Sequence, residues 1–127
     1  MAFTGFPHEA FAFYERLAAD NSRTFWLANK AVFEAAVRTP MVELTETLGD
    51  HGPFHIFRPN RDVRFAKDKT PYKDHMGAYS ESEGGAGYYI HLGASGILTG
   101  CGYYDMAADQ LERFRAAVDA SATGEDL

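Results

Sequence analysis

The segment of residues 58–73, called here the basic segment, concentrates side chains that bind anions. Six of the twelve Lys and Arg residues lie in it, although the whole chain has a net charge of −6. A focused positive potential attracts phosphate and carboxylate groups. Arginine binds such groups through two parallel hydrogen bonds, whereas lysine supplies a point charge. The segment therefore predicts a binding site for an anionic small molecule. Its ligand-binding residues would be Arg58, Arg61, Arg64, Lys67, Lys69 and Lys73.

The same cations have a plainer interpretation, in which they pair with acidic groups of the protein itself. Asp62 and Asp68 lie among them and can neutralise two of the charges. Surface ion pairs of this kind are common and contribute little stability. Pro59 and Pro71 favour the anion site, because a fixed φ angle holds a loop in shape. A further hypothesis is a protein-interaction module, in which the basic segment docks on an acidic partner.

Two tyrosines and a histidine complete the candidate site. Tyr72, Tyr89 and His91 are predicted to orient the ligand, and alternation along a predicted strand places His91 on the same face as Tyr89. An imidazole or a carboxylate can transfer protons, so Asp62, Asp68 and His91 are candidate catalytic groups of an enzyme that acts on a phosphorylated small molecule. A lone histidine is more often structural, and the enzyme hypothesis stays an alternative to simple binding.

Other classes of function receive less support from the sequence. The five histidines and the single cysteine show no metal-ligand spacing, so no metal is predicted, and no dinucleotide or phosphate-loop motif appears, so a cofactor stays unknown. An acidic chain argues against nucleic acid as the partner. The first residues lack the features of a signal peptide, and no apolar run approaches the ~20 residues of a membrane helix. We therefore expect a cytoplasmic protein without a membrane segment; its oligomeric state stays open.

Local patterns predict helices before strands. Apolar residues recur with helical spacing over residues 7–20, 22–38 and 41–48, with Asn21 or Ser22 as a cap and Pro40 opening the third helix. Strands are predicted at 54–57, 75–82, 86–92 and 97–104, with turns at 84–85 and 93–96 and a final amphipathic helix at 107–118. This order predicts an α+β domain spanning residues 1–127, with N-terminal helices on a small, mostly antiparallel sheet and a closing helix.

Residues 61–73 read Arg-Asp-Val-Arg-Phe-Ala-Lys-Asp-Lys-Thr-Pro-Tyr-Lys. This run resembles the Arg-Asp-x-Arg-Phe-x-Lys-Asp-Lys-x-Pro-Tyr-Lys signature of a bacterial and fungal family of uncharacterised proteins, a domain of unknown function. Shorter matches at 3–6, 21–30, 87–91 and 100–102 extend the resemblance over almost the whole chain. The family has no settled activity, so the resemblance implies no catalytic roles. It also implies further chain beyond Val118 in other members, and a site or core completed by that chain would be incomplete here.

Overall fold

The computed structural model describes residues 2–82, 84–103 and 105–126, and it confirms the α+β class. The first half is helical and contains α1 (His8–Ala19), α2 (Arg23–Val32), a π-helical segment (Phe33–Arg38) and α3 (Thr39–Thr47). The strands follow as β1 (His55–Ile56), β2 (His75–Glu81), β3 (Ala86–Gly93) and β4 (Gly96–Tyr103). They form one antiparallel sheet in the order β1-β2-β3-β4. The chain ends in α4 (Ala108–Asp119) and the short α5 (Ser121–Gly124).

The beginnings and faces of the first helices follow from local sequence. In α1 the buried residues Ala10, Phe13, Tyr14 and Leu17 recur at helical spacing, which places them on one side. The N-cap of α2 is Ser22, whose side-chain oxygen accepts a hydrogen bond of 3.1 Å from the backbone N–H of Phe25. Such a cap satisfies one of the unpaired N–H groups of the first turn.

The expected helix boundary before Pro40 is wrong. The chain stays helical from α2 through the π-helical segment into α3, and Pro40 is buried within the first turn of α3. Proline in a helix removes one backbone donor and crowds the carbonyl four residues earlier. The π-helical segment widens the turn just before Pro40, and the N–H of Thr39 bonds to Glu34 O, five residues back. The wider turn gives the proline ring room without ending the helix.

An aromatic core joins the helices to the sheet. The ring of Phe13 lies 5.9 Å from the Trp26 ring and 5.7 Å from the Phe33 ring, measured between centroids. The sheet contributes further buried residues, which are Met76, Ala78, Ile90 and Leu92. The final helix is present where it is predicted, but Phe114 and Val118 of α4 are exposed and add nothing to the buried core. The last residue of the predicted fourth strand, Tyr104, lies outside the described residues.

The sheet has two different faces. One face carries Ala78, Ile90 and Leu92 and packs on the helices, as the alternation along the third strand predicts. The opposite face carries aromatic rings, and we call it the ring face. It is formed by the other residues of β2 and β3, by the residues of β1 and β4 that pair with them, and by Phe57, which follows β1 and donates its N–H to Gly77 O at 2.9 Å. The aromatic side chains of the ring face are His55, Phe57, His75, Tyr79, Tyr89 and His91.

Candidate functional site

The basic segment folds as a loop with two paired arms. Two backbone hydrogen bonds of 2.8 Å join the arms, one from Arg61 N–H to Pro71 O and the other from Lys73 N–H to Pro59 O. The base of the loop, where Pro59 and Lys73 pair, lies between β1 and β2 in the chain, and residues 62–69 form its tip. The expectation of a loop held by prolines agrees with this arrangement.

Tyr72 anchors the loop to the helices. Its position in the pairing directs its backbone N–H and C=O away from Asn60, the residue opposite, and both groups bond to the side chain of Asn21. The Asn21 amide donates to Tyr72 O at 2.9 Å and accepts from Tyr72 N–H at 3.1 Å. The Tyr72 ring is stacked on Trp26 at 4.4 Å and is only 7% exposed. The structure thus places Tyr72, predicted from the sequence to orient a ligand, in the core.

Both carboxylates of the segment bind arginines. Arg64 is paired with Asp62 through two hydrogen bonds of 2.9 and 2.7 Å, and Arg61 lies 3.3 Å from an Asp68 oxygen while donating to Thr70 O at 2.9 Å. Hydrogen bonds from Arg64 lower the pKa of Asp62, and hydrogen bonds from Thr70 are the main reason that the pKa of Asp68 is lowered. Both groups are therefore ionised at neutral pH, and neither holds a proton to donate.

The tip of the loop is exposed. Lys69 donates to Val63 O at 2.7 Å, and the Arg64 guanidinium lies 5.8 Å from the centre of the Phe65 ring. Phe65 itself is 96% exposed, and Lys67 is also exposed. Three of the six predicted anion ligands, Arg61, Arg64 and Lys69, thus have partners within the loop.

Of the other three cations, Lys67 is exposed at the tip, whereas Arg58 and Lys73 lie at the base of the loop. Within the described ranges 2–82, 84–103 and 105–126, neither forms an ion pair or a side-chain hydrogen bond. The Lys73 ammonium lies 5.4 Å from the centre of the Phe57 ring, at the edge of the ring face. Partial burial lowers the pKa of Lys73, and the positive charge of Arg58 lowers it further. The two positive charges thus repel each other, although Arg58 also helps to lower the pKa of Asp62, less than the hydrogen bonds from Arg64 do.

Aromatic rings lie across glycines on the ring face. A Cβ atom on Gly77 would lie 3.2 Å from both the Tyr89 hydroxyl and the Phe57 ring, and a Cβ on Gly87 would lie 3.1 Å from the Tyr79 ring. The two glycines therefore make room for rings from neighbouring strands. Beside these rings is an open pocket of about 650 Å³. It is lined by Phe57, Tyr79, Gly87, Tyr89, Gly100, Cys101, Gly102 and Tyr103.

A row of hydrogen-bonding groups continues along the ring face from Tyr89. The Tyr89 hydroxyl lies 3.0 Å from His91 Nδ1, the imidazoles of His91 and His75 are stacked at 4.2 Å, and His75 Nδ1 lies 2.7 Å from the Asp74 carboxylate. A second pocket, of about 400 Å³, is lined in part by Asp74 and His91. A proton can pass within the Tyr89–His91 pair or within the His75–Asp74 pair, but the two imidazoles contact each other by stacking rather than by a hydrogen bond, so the two pairs are separate.

The environment favours the neutral form of His91. Partial burial and the nearby His75 lower the pKa of His91, although Asp74 opposes this effect. Burial raises the pKa of Tyr89, whereas the hydrogen bond from His75 lowers the pKa of Asp74. At neutral pH these shifts leave a neutral imidazole next to a protonated phenol. In the part of the chain that the structure describes, no group of three or more His, Cys, Asp or Glu side chains could hold a metal ion.

The ring face brings together residues that the sequence did not link. Tyr89 and His91 were predicted on one face, but their neighbours Phe57, His75 and Tyr79 were not recognised. Alternation along β2 places His75 and Tyr79 on the same side, so that signal was present in the sequence. It could be used only with the register of β2 against β3, which pairs Tyr79 with Tyr89.

The fold and the site together define an α+β domain with an aromatic sheet face bordered by a basic loop. The chain belongs to the conserved hypothetical protein family DUF2461, whose family model matches residues 9–125. The resemblance found in the sequence is confirmed at the level of the family. No curated protein matches the chain, and no solved structure does so either. None of the described helices combines the length and the apolar composition that crossing a bilayer requires.

Proposed function

We propose that this protein binds a small molecule bearing a phosphate or carboxylate group, and that Arg58 and Lys73 hold the anion at the base of the basic segment. The single observation that carries the proposal is this pair of neighbouring cations, without a carboxylate partner in the described residues, beside an open pocket. An anion between them would relieve their mutual repulsion. Its attraction to Lys73 is strengthened because the ammonium is partly shielded from water.

The other cations of the segment have supporting parts in this proposal. Arg61 and Lys69 bond to backbone carbonyls of the loop, and Arg64 is paired with Asp62, so these three stabilise the shape that presents the anion site. Lys67 is exposed and adds long-range attraction for an approaching anion. Tyr89 lies over Gly77 next to Phe57, where its hydroxyl can contact the bound molecule.

The test is a titration with inorganic phosphate followed by NMR chemical shifts of the backbone amides. We expect phosphate to shift the amides of Arg58 and Lys73. Removing one charged donor costs about 1.5–3 kcal/mol, so Lys73→Ala and Arg58→Ala should each weaken binding at least about tenfold. Arg38→Ala is the matched control, because it removes a guanidinium that pairs with Glu34 on a helix. Equal affinity in wild type, both variants and the control would refute the proposal.

A protein-interaction role is the second candidate, and the observation that favours it is Phe65. A phenylalanine that is 96% exposed at the tip of a cationic loop resembles an anchor for a partner surface. The exposed cations Arg64 and Lys67 would then select an acidic partner. Crosslinking from a photoreactive amino acid at residue 65 would test this role. Capture of one acidic protein supports it, and crosslinks spread over unrelated proteins count against it.

An enzymatic role has support from His91 only. The neutral imidazole next to Tyr89 is suited to accept a proton from a bound molecule, whereas Asp62 and Asp68 are held by Arg64 and Thr70. A pH–rate profile on a panel of phosphorylated compounds would distinguish turnover from binding. A rate that falls with protonation of His91 and disappears in His91→Asn would support catalysis. Binding without turnover across the panel would leave the anion site as a binding site.

A further inference from the structure

Gly100 of β4 has no structural reason to be glycine. It lies on the ring face, opposite Tyr89, and it does not adopt the left-handed φ that favours glycine. A Cβ atom placed on Gly100 would meet nothing within 4 Å among the residues that the structure describes. Glycine inside a strand lowers stability relative to residues with side chains, and it often marks a place where a ligand approaches the backbone closely.

The contrast with the other glycines of this face is informative. Gly77 and Gly87 each have a tyrosine side-chain atom within 3.2 Å of the position of a Cβ, so their small size is explained by internal packing. The Tyr89 ring leans toward Gly77 on β2 and therefore away from Gly100 on β4. The space over Gly100 is left open and belongs to the pocket of about 650 Å³.

The shape and chemistry of this pocket indicate the kind of group that it takes. It is lined by the bare backbone of Gly100 and Gly102, by Cys101, and by the rings of Phe57, Tyr79, Tyr89 and Tyr103. A lining of bare backbone and aromatic rings fits a planar apolar group, and the volume is in the range of small-molecule sites. The Phe57 ring also contacts Lys73, so the anion site and the pocket share a wall.

We propose that the ligand is an aromatic phosphate or carboxylate, whose planar ring system lies over Gly100 while its anionic group is held by Lys73 and Arg58. This inference rests on the proposed function for the anionic end, and on the pocket alone for the aromatic end. The two ends can therefore be tested separately.

The test compares three probes by isothermal titration calorimetry: 1-naphthyl phosphate, inorganic phosphate and 1-naphthol. We expect 1-naphthyl phosphate to bind about tenfold or more tightly than phosphate, because the ring system buries apolar area. Lys73→Ala should weaken both phosphates and leave 1-naphthol unchanged. Gly100→Val should weaken 1-naphthyl phosphate and 1-naphthol at least about tenfold while leaving inorganic phosphate unchanged. Gly100→Ala should give a smaller loss of the same kind.

Loss of the fold does not complicate this test. Because nothing lies within 4 Å of the added Cβ and valine favours strands, Gly100→Val should be at least as stable as wild type in urea unfolding. Thr99→Val, on the opposite face of the same strand, is the control that places a valine on β4 outside the pocket.

The outcomes separate the two proposals. If phosphate binds but the naphthyl group adds no affinity, or if Gly100→Val binds 1-naphthyl phosphate as tightly as wild type, the aromatic inference is overturned and the anion site stands. If 1-naphthol binds as tightly as 1-naphthyl phosphate and Lys73→Ala changes nothing, the proposed anion function fails while the pocket stands. If no probe binds, both are overturned.

Discussion

Replacing Asn21 with alanine should destabilise the protein more than its position between two helices suggests. The substitution removes both hydrogen bonds between the Asn21 amide and the backbone of Tyr72, and it leaves the N–H and C=O of a residue that is 7% exposed without partners. Each lost hydrogen bond costs about 1 kcal/mol, and an unsatisfied buried group adds to this. We therefore expect a loss of roughly 2–4 kcal/mol.

For a chain of 127 residues, this loss corresponds to a fall in Tm of about 7–15 °C. Urea unfolding followed by circular dichroism measures the free energy, and amide hydrogen exchange of Tyr72 reports whether the loop is still attached. Asn21→Asp keeps the acceptor but loses the donor, so its stability should lie between that of wild type and that of Asn21→Ala.

Asn29→Ala is a matched control for this experiment. The Asn29 amide donates to Phe25 O at 2.9 Å within α2, so its loss affects one helix only. Alanine has the higher helix propensity, which offsets the lost bond, and the net change should be below about 0.5 kcal/mol. If Asn21→Ala is no less stable than Asn29→Ala, Asn21 does not anchor the loop and the reasoning is refuted.

Three further predictions concern the core and the histidines. Phe13 is fully buried and Phe65 is 96% exposed, so Phe13→Ala should lower the free energy of unfolding by about 3–5 kcal/mol and Phe65→Ala should change it by less than about 0.5 kcal/mol. Equal losses of this free energy in urea unfolding would contradict the described core. In an NMR titration the pKa of His91 should lie below the ordinary value of 6.5. The His75→Ala variant should raise the pKa of His91, because it removes a like charge and opens the site to water. An unchanged pKa of His91 in this variant would exclude an effect of His75 on His91. As the pH falls, His91 takes up a proton at a higher pH in the unfolded chain than in the folded chain, so wild type should lose stability as the pH falls through 6.5. The His91→Asn variant should lose less stability over the same range. Equal losses between pH 7.5 and 5.5 would contradict the lowered pKa.

The helices and strands could be predicted because their signals are local. The spacing of Phe13 and Leu17 defines the buried side of α1, and Ser22 is close enough in sequence to its hydrogen-bond partner to be recognised as a cap. The continuity through Pro40 could not be predicted in this way. It depends on a π-helical turn, whose hydrogen bonds leave no periodic pattern in six residues.

The candidate site was only partly predictable, because its contacts are distant in sequence. The basic segment was found from composition alone, but the pairing of Arg64 with Asp62 depends on the turn at the loop tip. The burial of Tyr72 depends on Asn21, which is 51 positions away. The pocket required the register that places Gly100 opposite Tyr89, and no single strand contains that information.

The anchoring of Tyr72 makes the proposed site suitable for compound screening by thermal denaturation. Lys73 is the next residue along the chain, and the backbone of Tyr72 is joined to the start of α2 through Asn21. A molecule that binds Lys73 only in the folded chain shifts the folding equilibrium by mass action. At a concentration one hundred times its Kd, the gain is about 2.7 kcal/mol, which a dye-based melting assay resolves. Libraries of aromatic acids and phosphates can therefore be ranked by the change in Tm before any reaction is known.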